Sequence, residues 1–230
     1  MLVLIGLDLY KGVSMNKRQK KIFLDGIFFS QVVMGVLFGV IQIIKMQTSV
    51  EGLTVPVFLF NIMFSVIVWV FAYNSNKANP SKITIQPLII YTMAITVYSA
   101  ILGVYLYKTN TYWLPKDTLT AMLVAIGAGI VVLVCRKRSM EPLPRAYMGV
   151  VFKGVPQMFF ALNMLETGSS TGLSAFFVFG FHYMWITRMY QIQEGAKDHG
   201  WSKERIGLAI SESGNELTWI FVTYAWLTTT

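Results

Sequence analysis

The sequence has one cysteine, two histidines and little charge: Asp, Glu, Lys and Arg make up 13% of its 230 residues. A single cysteine, Cys135, excludes an intramolecular disulfide and a cysteine-based metal cluster. At the end of an apolar stretch it reads as a small packing residue. The histidines, His182 and His199, have no suitably spaced carboxylates around them, so neither a metal nor another cofactor is expected. Signatures of covalent or nucleotide chemistry are missing too: there is no Gly-x-Ser-x-Gly elbow, no HExxH pair and no P-loop. An enzyme is not expected.

Apolar sequence fills the chain instead. Hydrophobic residues reach 55% and the mean hydropathy is +0.57, far from a soluble average. A bilayer core requires about 20 apolar residues per spanning helix. Seven stretches meet or approach that length: 22–45, 53–73, 84–107, 115–135, 146–165, 172–191 and 206–228. Between them lie short polar turns such as NSNKANPSK and RKRSMEPLPR, and no soluble domain is left over. The expectation is an all-α polytopic membrane protein with seven transmembrane helices, whose immediate partner is the lipid bilayer.

A formal charge of +8 would suit nucleic acid only if it were gathered on one soluble face. Here the cations are dispersed over turns, so no nucleic acid is expected, and their distribution reports orientation. The N-terminus and the second, fourth and sixth connections hold fifteen Lys and Arg, Arg188 counted among them. The opposite side holds Lys45, Lys108 and Lys116, and Lys153 within a helix completes the nineteen. This predicts an integral protein of a bacterial-type cell membrane, N-terminus cytoplasmic and C-terminus outside. Residues 1–21 are then a cytoplasmic leader. Its first part, MLVLIGLDLYKGVS, lacks the order of a signal peptide, because the basic cluster follows the apolar run. It is either a disordered or surface-lying leader or a product of start-site choice, with Met15 as the true start.

The chain also repeats itself. TSVEGLTVPVF at 48–58 and GSSTGLSAFFV at 168–178 align at a shift of 120, sharing Ser49/Ser169, Gly52/Gly172 and Leu53/Leu173. The third and seventh stretches both open on Ser-Lys, at Ser81 and Ser202. In that register, a shift of 121, Ile85 meets Ile206, Tyr98 meets Trp219 and Tyr105 meets Trp226. The fourth stretch has no counterpart. The pattern predicts two parallel three-helix repeats, 22–108 and 145–230, joined by a linker transmembrane helix at 114–138. An odd linker is what allows a second triplet to enter the membrane in the same sense as the first. Glycine would permit a tight turn before each second helix, which Thr54 or Ser174 would cap.

VEGLTVPVF and STGLSAFF resemble the segment that opens the second helix of each repeat in PQ-loop proteins, the SWEET and SemiSWEET sugar transporters and their relatives. Pro156-Gln157, in KGVPQMFF, resembles the dipeptide that names them, and IQPLIIYTMAI at 85–95 resembles their third helix. The first half offers only Ser30-Gln31 or Ile41-Gln42 at the place of Pro-Gln. Vitamin transporters of the PnuC type share the three-one-three plan. The resemblance implies a carrier that moves a small polar, sugar-like solute by alternating access between two bundles. It further implies a solute site lined by Asn61, Trp69, Thr92, Trp185, Asn215 and Trp219, with Pro156, Gln157 and Gln31 as hinges. A non-transporting receptor or assembly protein of the same fold is the alternative, and a homo-oligomer remains open.

Polar residues inside apolar stretches mark where function resides, because a central charge costs roughly 2.5–3.5 kcal/mol on insertion scales. Glu212, Asn215, Glu216 and Trp219 fall at i, i+3, i+4 and i+7, one helical stripe, expected to face the bundle interior. Otherwise 203–216 is a cytoplasmic amphipathic helix before an incompletely inserted end. Glu216 falls about 15 Å beyond Ile206 at helical rise, level with Asn61 and His182, and is the candidate for coupling a proton. Lys153 matches the depth of Glu212, so the two either pair or Lys153 snorkels to the interface. His182 suits a proton path or helix packing. Trp69, Tyr98, Trp185 and Trp219 would stack on a planar solute, whereas Trp113 and Trp226 read as interface anchors.

Overall fold

The computed structural model describes residues 16–109 and 113–230; residues 1–15, and with them most of the expected leader, lie outside the described residues. The described residues form seven α-helices: α1 Lys17–Met46, α2 Val55–Ala78, α3 Lys82–Lys108, α4 Pro115–Cys135, α5 Pro142–Thr167, α6 Ala175–His199 and α7 Lys203–Thr229. A single 3₁₀ turn, Arg136–Arg138, separates α4 from α5.

Each helix starts where the sequence relieves its first unpaired amides. Asn16 closes a capping box with Gln19, and Ser81 closes one with Thr84. Ser174 and Ser202 accept from the amides of Phe177 and Arg205. The remaining three, α2, α4 and α5, carry proline in their first turn, where its missing N–H costs nothing. Thr54, expected as a cap beside Ser174, makes no such side-chain bond.

Five of the helices, α1 to α5, are long and apolar enough to cross a membrane. Their outer faces carry exposed Phe29, Val40, Met122, Ile126 and Ile130, an apolar surface that lipid would cover. The two remaining predicted spans also become long helices but fall short of that criterion. Polar residues interrupt them: His182, Arg188 and Glu194 in α6, and Glu204, Glu212, Asn215 and Glu216 in α7.

Neighbours are arranged alike in the first and last sets of three. α3 packs against both α1 and α2, and α7 against both α5 and α6, so the last helix of each set lies between the other two. Between the sets, α1 packs on α6 and α2 on α5, while α4 lies chiefly against α5. Chain direction alternates, which gathers the turns at two ends. At one, the Tyr105 hydroxyl donates to the Leu53 carbonyl at 3.2 Å, Lys116 pairs with Glu166, and Ser170 donates to the Trp226 carbonyl at 3.3 Å. This is the loop end. The other, the basic end, holds the starts of α1, α3, α5 and α7.

The basic end is fastened by charge. α6 continues past the predicted limit at residue 191 to His199, and α1 begins before residue 22. Lys20 of α1 meets both Glu194 and Asp198 of α6 at 2.8 Å, and Lys197 also holds Glu194. Burial alone would raise the Glu194 carboxyl, but hydrogen bonds from Lys197 and Lys20 outweigh it and hold it below its ordinary value. A carboxyl lowered by folding contributes stability that is complete above its unfolded value near 4.5 and is lost as pH falls through the lower folded value. The thermal midpoint of purified protein is expected to fall on acidification below about pH 4.5. Glu194→Gln is expected to lower the midpoint at neutral pH and to flatten that acid limb. An acid limb identical in the variant would mean that other carboxylates produce it.

Candidate functional site

At the loop end the two similar segments meet each other. The Gly172 amide donates to the Glu51 carbonyl at 3.0 Å. Ser49 and Thr171 hydroxyls lie 2.9 Å apart, and the Ser169 hydroxyl donates to the Glu51 carboxylate at 2.9 Å. Gly52 has φ +80, a conformation that disfavours a side chain, and a Cβ there would lie 2.5 Å from the Ser169 carbonyl oxygen. A Cβ on Gly172 would lie 2.7 Å from the Glu51 carbonyl oxygen and from the Val50 carbonyl carbon. Both glycines are therefore required by the close approach of one loop to the other.

The same reciprocity extends into the helices. Gln42 of α1 donates to the Gly172 carbonyl at 2.8 Å, and its own side-chain oxygen accepts from the Ser174 amide at 2.9 Å. Asn163 of α5, which lies 121 residues after Gln42, donates to the Gly52 carbonyl at 3.3 Å. Each set of three helices thus supplies an amide side chain to the glycine carbonyl of the other. Below these loops a packed layer containing Phe38, Phe58, Ile101, Phe160, Phe177, Trp219 and Val222 closes the interior.

On the other side of that layer lies a cavity of about 150 Å³. Its walls come from α1, α2 and α3 and also from α6, α7 and, through Lys153, α5; α4 lends it no described residue. Gln31, Asn61, Ser65, Tyr91, Tyr98, Lys153, Trp185, Arg188, Glu212 and Asn215 are its polar or amphipathic lining, among Phe38, Phe64, Phe177 and Phe181. Four buried side-chain polar atoms lack a hydrogen-bond partner among the described residues, and two of them, Gln31 Oε1 and Trp185 Nε1, belong to this lining. An orphaned buried donor or acceptor is costly, and on a cavity wall it is open to a water or a ligand.

The structure gathers seven of the predicted residues here: Asn61, Tyr98, Trp185, Asn215, Gln31, Lys153 and Glu212. The others are elsewhere. Trp69 donates to the Thr92 hydroxyl at 2.9 Å and stacks on Tyr73, one turn beyond Ser65 toward the basic end. Thr92 falls between the cavity-facing pairs Tyr91/Met93 and is exposed on the far face of α3. Trp219 backs the wall rather than lining it, its ring stacked on Phe181 at 3.7 Å. His182 and Glu216 pair at 2.6 Å in the α6–α7 seam, and the second histidine nitrogen meets the Thr223 hydroxyl at 2.8 Å. Glu216 therefore lies outside the cavity, although Glu212 and Asn215 on the same stripe reach it.

The anticipated Lys153–Glu212 ion pair is not made; the Lys153 ammonium lies 5.0 Å over the Phe64 ring. Pro156 is buried within α5, which continues through it. Gln157 is fully buried, donating to Asn215 at 2.8 Å and accepting from the Thr218 hydroxyl, so it ties α5 to α7. Gln31 ties α1 to α6 through a bond to Thr187 at 2.9 Å. Gln157 and Gln31 are thus attachments between helices, while Pro156 lies buried in an unbroken helix.

Arg188 corrects the charge count. Placed with the turn cations by its position near the end of a stretch, it lies well inside α6 and lines the cavity. Its only signal in the sequence was an isolated cation in WITRMY. Asn163 had no signal, and Gln42 stood out only as an alternative to Pro-Gln. No family model, curated protein or solved structure matches the chain.

Proposed function

We propose that the chain is a membrane carrier for a small polar solute, built as two parallel three-helix bundles, α1–α3 and α5–α7, with α4 as linker. The observation that carries this is the cavity, which draws its wall from all six bundle helices and holds unsatisfied polar atoms. Carriers built from repeats bind solute near the midplane between the halves and rock about that site. In this reading α6 and α7 also cross the membrane, their polar residues turned to the cavity or to each other. The interlocked loops and the aromatic layer above the cavity are the closed gate of one state, and the sequence resemblance to PQ-loop proteins points the same way. The basic end faces the cytoplasm by the charge rule.

The test is counterflow in proteoliposomes. Vesicles preloaded with one candidate solute are expected to accumulate trace labelled solute transiently, with an initial rate at least tenfold above protein-free vesicles. Binding of a solute by the detergent-purified protein without counterflow would instead support the receptor reading and remove the carrier one.

A further inference from the structure

Three charged side chains stand at one level of the cavity. Lys153 is eleven residues from the start of α5, Arg188 eleven from the end of α6, and Glu212 nine from the start of α7. At about 1.5 Å per residue these positions differ by only about 3 Å along the bundle. None of the three makes an ion pair among the described residues. Charge held in mid-bundle without a counter-ion is unfavourable unless a ligand supplies one, and two cations against one carboxylate leave an excess positive charge. A neutral sugar needs amides, hydroxyls and aromatic faces but gives such an excess nothing to neutralise it.

The orphaned atoms add direction to the charge. The Thr187 hydroxyl donates to the Tyr183 carbonyl at 2.9 Å, so it accepts from the Gln31 amide nitrogen. That leaves Gln31 Oε1 as a buried acceptor, and with Glu212 it requires a donor on the solute. Trp185 Nε1 is a buried donor without an acceptor, and Arg188 presents the planar fork that matches a carboxylate in two parallel bonds. The space corresponds to about five waters, enough for a compact solute.

We infer that the solute is a small organic anion, a hydroxy or amino acid whose carboxylate is held by Arg188 and Lys153 and whose hydroxyl or ammonium meets Gln31 and Glu212. This rests on the carrier reading only in taking the cavity as a solute site. The test measures binding to the purified protein by thermal shift and calorimetry, with L-lactate, L-aspartate, glucose and ethanolamine as probes, and counterflow of each in vesicles. At least one of the two carboxylates is expected to bind; glucose and ethanolamine are expected not to. Arg188→Met and Lys153→Met should each weaken that binding at least tenfold, and Lys153→Arg should restore most of it, with ligand-free thermal midpoints reporting that each variant is folded. Binding by neither carboxylate, or binding that survives both methionine variants, overturns the inference. Carboxylate binding without counterflow removes the carrier reading and leaves the inference standing; counterflow of glucose with no carboxylate binding does the reverse.

Discussion

Gly172→Ala is expected to destabilise the protein by about 2–3 kcal/mol, the upper range for overpacking a filled site. The added methyl would lie 2.7 Å from the Glu51 carbonyl oxygen and 2.9 Å from the Val50 Cα, and backbone atoms cannot swing aside as a side-chain end does. Relief requires the two loops to part. That would lengthen the Gly172 amide bond to Glu51 and the Gln42 bond to the Gly172 carbonyl together. The expected readout is a lower thermal midpoint in detergent together with faster modification of a cysteine placed at Ser49. Gly26→Ala is the control, since a Cβ there has nothing within 4 Å, and alanine in an open helical position is neutral or mildly stabilising. Equal midpoints for the two variants would mean that the loops are held by something other than this contact.

Ala94→Phe is expected to abolish exchange while leaving the fold intact. Ala94 lies on the α3 wall of the cavity, so a phenyl ring would enter existing space instead of displacing packed atoms. Filling a void adds contacts in the folded state, and the thermal midpoint should hold or rise. Counterflow should fall more than tenfold, and binding of any solute identified for the wild-type chain should be lost with it. A variant that exchanges at the wild-type rate would show that the cavity is not on the solute path. The two substitutions act in opposite ways: one parts a closed contact, the other closes an open space.

Much of the architecture could be read from spacing. Seven apolar stretches became seven helices in the expected order, and serines at 81, 174 and 202 start helices as a polar N-cap should. The Gly-Leu pairs flagged the loops that meet, because close backbone approach demands glycine whatever surrounds it. What spacing cannot give is direction around a helix crowded by several neighbours. Successive residues differ by about 100°, so Glu212, Asn215, Glu216 and Trp219 share a stripe yet meet three different surroundings. Two face the cavity, one faces His182 and one packs on Phe181. Arg188 was misplaced for a related reason. The ion pairs that lengthen α6 past residue 191 are tertiary, with Lys20 far away in the chain, and no local pattern announces them.

The correspondence between Gln42 and Asn163 was invisible because they are different residue types, related only by what they touch. Their reciprocity has a consequence for inheritance. Neither set of three helices contains the amide that satisfies its own glycine carbonyl; each depends on the other's. A change at position 42 is therefore felt in the loop at 168–174, and a change at 163 in the loop at 48–54. The two segments cannot drift independently, and a lone half would have to find a second copy of itself before its loop could close.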